Sequence, residues 1–98
     1  MLDHALIIRA ATARDAGALG RLAALTGHAS PHGRTLLAER DGVAVAALPL
    51  TSGLVLADPL TSTADAVCLL RRRRYRLLRQ GGDVGMARTL IRRLAAAA

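Results

Sequence analysis

The stretch Thr35 to Leu48, TLLAERDGVAVAAL, constrains the fold more than any other part of the chain. At its centre lies Asp41-Gly42, a pair whose two positions both tolerate positive φ and so close a two-residue turn that suits the twist of its flanking strands. Thr35 to Arg40 and Val43 to Leu48 are therefore read as the two antiparallel strands of a hairpin. Successive side chains of a strand point to opposite faces. The second strand puts Val43, Val45 and Ala47 on one face and Ala44, Ala46 and Leu48 on the other, so neither face suits water. Both need cover, either from helices of this chain or from a partner chain, and a homodimer is one way to provide it.

The surrounding sequence supplies the other elements. Leu6 to Ala11 is a short apolar run that fits a strand. Thr12 stands three residues before Asp15, the spacing of a capping box, and Ala16, Leu19, Leu22 and Ala23 follow at helical spacing up to a stop at Gly27. A first helix is expected from Ala13 to Thr26. His28 to Arg34 is loop chemistry. Gly53 to Ala57 reads as a third antiparallel strand, ended by Asp58-Pro59 because proline cannot donate to a ladder. A second helix opens at Ser62 or Thr63 with Asp65 behind it and runs through Ala66, Val67, Leu69 and Leu70. Arg71 to Arg74 then place a charge on every side of one turn, so the apolar seam is expected to stop at Leu70 and the rest of the helix to project. A short last helix is expected over Met86 to Leu94. The fold class is α/β (α+β): a small, mainly antiparallel sheet with packed helices, a body over 1–70 and an arginine-rich helical tail over 71–98.

A chain of 98 residues makes one domain and buries only about 60 to 65% of the surface its unfolded form exposes. Tyr75 is its one aromatic residue, so leucine and valine must do the packing, at roughly 1.5 to 3 kcal/mol per fully buried side chain. Cys68 is the sole cysteine, which excludes an internal disulfide and suggests a reduced, cytoplasmic protein with a buried, inert thiol. The opening MLDHALIIRAATAR has an acid at Asp3 and only a short apolar run, unlike a secretion signal. The longest uncharged run, Gly42 to Ala57, is broken by Pro49, Thr51, Ser52 and Gly53, so no membrane span is expected.

Charge is split along the chain. Residues 1–70 carry five Arg against six acids, whereas residues 71–98 carry nine Arg against Asp83 alone, for a total of +7. Guanidinium forks pair with phosphates in two-pronged fashion, so Arg71, Arg72, Arg73, Arg74, Arg76 and Arg79 form a candidate site for nucleic acid or another anionic partner. The competing interpretation is a solvated tail, since all fourteen cations are Arg and none is Lys. Glu39 is the candidate general base, should a cleft open beside the hairpin. Tyr75 can stack on a base but, among arginines, is expected to cover part of a helix surface. His28 and His32 stand four apart, but Pro31 and Gly33 oppose the helix that would align them, so no metal site is expected.

Two segments, IRAATARDAGALGRLAAL and LLAERDGVAVAAL, together resemble the N-terminal half of the GNAT superfamily of acetyl-CoA-dependent N-acyltransferases, whose first strand often reads I-R-x-A before a helix that starts T-x-x-D. The similarity covers Leu6 to Leu50 and extends in weaker form to Leu70. In that family a Gln/Arg-x-x-Gly-x-Gly/Ala loop between strand and helix holds the cofactor pyrophosphate on backbone N–H groups. Here GDVGMA sets Gly85 and Ala87 on the two small positions, with Gly82 where the family has Gln or Arg, and RRRRYRLLRQ ahead of it in place of a strand. With Ala98 as the last residue of this sequence, no counterpart is expected for the later strand and helix of the acyltransferase cleft. The resemblance implies two alternatives. One is a truncated, non-catalytic GNAT-like interaction module without a cofactor, its cationic helix contacting an anionic partner. The other is an acetyl-CoA-dependent N-acetyltransferase with a degenerate pyrophosphate loop at Val84, Gly85, Met86, Ala87 and Arg88.

Overall fold

The computed structural model describes residues 5–81. They form a small α+β fold with strands β1 (Leu6–Ala10), β2 (Thr35–Arg40), β3 (Val43–Pro49) and β4 (Leu56–Ala57) and helices α1 (Ala16–Thr26) and α2 (Ala64–Gly81). The strands make one sheet in the order β1-β2-β3-β4, antiparallel throughout. Asp41 and Gly42 both adopt positive φ, 55° and 77°, as the two-residue turn requires.

Helix α1 begins as the capping box implies, through a 3-10 turn at Ala13–Asp15. Thr12 Oγ1 accepts from the Arg14 N–H at 3.2 Å, and Asp15 Oδ2 accepts from the Thr12 N–H at 2.6 Å. Two donors at the start of the helix, which lack intrahelical partners, are thereby satisfied.

The simple alternation expected of β3 does not hold. Ala38 pairs with Ala46 but Glu39 pairs with Ala44, leaving Val45 as an extra residue, a bulge that sets two successive residues toward one face. Val45 and Ala46 both join the cluster packed by Ala66 and Leu70 of α2, whereas Ala44 and Ala47 join the cluster packed by Leu22 and Ala23 of α1. Each sheet face thus receives its own helix. The second layer comes from within the chain, and burying the hairpin needs no partner.

Leu22, Leu37, Leu48, Leu56 and Leu70 are the largest fully buried side chains, so leucine alone fills the core positions that aromatic residues often take. The strand expected over Gly53 to Ala57 is β4, and it is shorter than the sequence suggests, two residues rather than five. The turn after β3 folds toward α2, with Gly53 N–H on the Pro49 carbonyl at 3.0 Å and Leu50 buried in the α2 cluster. The carbonyls of Ala44 and Val45, beyond the short β4 ladder, accept instead from the Arg21 guanidinium and from the Asp58 N–H. An Arg21–Asp58 ion pair joins those two donors at 3.4 Å.

The seam of α2 does not stop at Leu70. The helix continues unbroken to Gly81, and Leu77 packs on the same cluster as Leu70. Leu77 lies seven residues on, two turns along the same face, so the intervening arginines cannot end the contact. No helix among the described residues is long and apolar enough to cross a membrane. The expected helix Met86 to Leu94 lies outside the described residues.

Candidate functional site

Successive residues of a helix step by about 100°, which divides the arginines of α2 into two groups. Arg74 shares the inward side with Ala66, Leu70 and Leu77. It is half-buried, and its Nε donates to the Leu50 carbonyl at 2.8 Å. Arg74 therefore fastens α2 to the turn after β3. Arg72, Tyr75, Arg76 and Arg79 point the opposite way and are exposed, with Arg71 and Arg73 exposed on the flanks.

Among the described residues the outward row has no counter-charge. Among the described residues the ion pairs fall on Arg9, Arg21 and Arg40, and none reaches Arg71, Arg72, Arg73, Arg76 or Arg79. Tyr75 stands within this row at 61% exposure; it faces away from the sheet, and the helix surface it lies against is that of α2 itself, beside Arg79. Arg79 donates to its hydroxyl at 3.1 Å and lies 5.7 Å from the ring centre. Arg72, Arg76 and Arg79, at spacings of four and three, span about 10 Å along the helix at 1.5 Å per residue.

Glu39 sits elsewhere, on the opposite sheet face from α2. Its Oε1 accepts from Arg9 Nε at 2.8 Å, and the same guanidinium donates to both oxygens of Asp15 at 2.8 and 2.7 Å. Hydrogen bonding by Arg9 first, then by the Thr12 N–H, holds the Asp15 carboxyl below the usual carboxylate range, while Asp15 and Glu39 raise Arg9 above its ordinary value. The cluster ties β1, β2 and the start of α1 together. The T-x-x-D spacing made the Thr12–Asp15 half legible in the sequence; Arg9 and Glu39 meet only because their strands pair in register, Arg9 opposite Leu37 and Ile7 opposite Glu39. A second such pair joins the C-terminal end of β2 to α2: Arg40 donates to both oxygens of Asp65 at 2.7 and 2.8 Å and lowers its pKa.

Cys68 is exposed rather than buried, since it falls on the outward side of α2, two positions before the buried Leu70. His28 and His32 are exposed in the loop before β2. Among the described residues no three His, Cys, Asp or Glu side chains gather closely enough to hold a metal ion. The candidate cofactor residues Val84, Gly85, Met86, Ala87 and Arg88 lie outside the described residues. Compared with known protein families, curated proteins and solved structures, the chain gives no match in any of the three.

Proposed function

We propose that this protein is a non-catalytic, GNAT-like interaction module that binds a polyanionic partner through the outward face of α2. The observation that carries this reading is the row Arg72, Arg76 and Arg79, exposed, turned away from the core and without acidic partners among the described residues. A guanidinium row of this kind offers planar, two-pronged donors to phosphates, and the full chain's charge of +7 favours encounter with any polyanion. The GNAT-like part of the reading is supported by the sequence of the first strand, first helix and hairpin.

The test is binding of a labelled duplex oligonucleotide across a salt series. Each phosphate neutralised contributes about 0.9 to the slope of log affinity against log salt. The variant R72A/R76A/R79A is expected to bind more weakly and to show a slope smaller by up to about 2.7. Affinity that ignores salt, or a triple variant that binds like the parent, would refute the arginine face. Acetyl-CoA that raises the melting temperature of R72A/R76A/R79A by as much as that of the parent, while an equal concentration of ATP raises neither, would refute the cofactor-free part of the reading, because a ligand stabilises a fold only by binding it.

A further inference from the structure

A cavity of about 210 Å³ opens where the end of β1, the start of β2 and the end of β3 meet the C-terminal half of α2. Ala10, Leu36, Leu50 and Leu77 give it apolar walls, and Arg34 and Arg73 line it from elements far apart in the sequence. Three other donors of this corner are already engaged. The Ala11 N–H donates to the Thr35 carbonyl at 2.8 Å, the Leu50 N–H to the Arg34 carbonyl at 2.9 Å, and the Thr35 hydroxyl to the Gly33 carbonyl at 3.2 Å. Arg34 and Arg73, by contrast, have no ion pair and no side-chain hydrogen bond among the described residues. Two positive charges thus border one partly apolar cavity with no counter-charge among the described residues.

We infer that this cavity is a binding site for a small phosphomonoester bearing a short apolar group. Guanidinium forks match phosphate oxygens in geometry. A phosphomonoester carries close to two negative charges at neutral pH, its second pKa being about 6, so it balances both arginines where a carboxylate balances one. The apolar walls receive the organic group. The size of the cavity limits that group, since pockets for drug-sized ligands measure about 300 to 1,000 Å³. This site is separate from the outward row of α2: Arg34 belongs to the loop before β2, and Arg73 lies on the flank of the helix.

Titration of the full chain with phenyl phosphate, inorganic phosphate and benzoate, followed by calorimetry and by amide chemical shifts, tests the assignment. Phenyl phosphate should bind tightest, shift the amides of Leu36 and Leu77, and lose about tenfold or more in affinity in R34A and in R73A, as expected for loss of a charge-assisted contact. Arg14→Ala, an exposed cation away from the cavity, should leave binding unchanged. Ala10→Phe adds an apolar ring at the cavity wall while keeping both arginines and should abolish the advantage of phenyl phosphate over inorganic phosphate. Equal losses in R14A and R34A would show diffuse charge attraction and overturn the site. Benzoate binding as tightly as phenyl phosphate, or an A10F protein that still prefers the phenyl ester, would overturn the ligand class.

Discussion

The carboxylate of Asp15 accepts from Arg9, from the Thr12 N–H and from the Thr12 hydroxyl at once, so one residue caps a helix and closes an ion pair. Because the folded protein holds this carboxyl below its ordinary pKa, its contribution to stability is fully present above the unfolded value of about 3.9 and is lost as pH falls toward the folded one. Asp65, lowered by Arg40, acts in the same direction. Urea unfolding of the parent and Asp15→Asn from pH 7 to pH 2 should therefore show a less stable variant at neutral pH and a gap that narrows as acid is added. A gap that stays constant across the series would mean that the charge on Asp15 contributes nothing. The Thr12–Asp15 relation is visible in the sequence as a spacing of three. The Arg9–Glu39 contact is not, since a strand register intervenes.

At the scale of elements, α2 docks on the sheet by a leucine seam and by one arginine. Gly53 has φ of 68°, and a Cβ added there would come within 3.0 Å of the Arg74 guanidinium carbon. Arg74 cannot simply swing aside without giving up its bond to the Leu50 carbonyl. Gly53→Ala is expected to cost about 1 to 2 kcal/mol from the left-handed backbone alone, with an added penalty from the Arg74 contact. In an Arg74→Ala background the added penalty should vanish, so a double-mutant cycle in chemical denaturation would show coupling between the two positions. Additive effects would show that Arg74 does not press on this turn. From sequence, Arg74 is indistinguishable from its neighbours, and only its angular position against Leu70 and Leu77 separates it from the outward row.

For the whole molecule, the charge imbalance should be measurable in the absence of any partner. Arg72 and Arg76 lie at i,i+4, where like charges destabilise a helix by about 0.2 to 0.5 kcal/mol, and the other exposed arginines of α2 add to the repulsion. Salt screens this repulsion, and it also weakens the exposed Arg21–Asp58 and Arg40–Asp65 pairs, each worth about 0 to 1 kcal/mol. With a net charge of +7 repulsion outweighs attraction, so the melting temperature should rise between 20 mM and 500 mM sodium chloride, a range over which the Debye length falls from roughly 20 Å to about 4 Å. A falling melting temperature would mean that the ion pairs dominate. This effect belongs to the fold itself and opposes the salt dependence expected for binding, which allows the two to be separated.

Elements with local causes could be read from the order of residues alone: the turn at Asp41-Gly42 from its backbone tolerance, the start of α1 from the Thr12–Asp15 spacing, and the two-faced burial of β3 from its unbroken run of apolar residues. Packing in three dimensions set which residues share a face after the bulge at Val45, kept α2 on the sheet as far as Leu77, and brought Arg34 and Arg73 to the lining of one cavity. The division has a physical reason. Turn and cap preferences are set within a few residues by sterics and nearby hydrogen bonds, whereas a bulge, a helix docking and a shared cavity depend on contacts between segments whose separation along the chain carries no record of their approach.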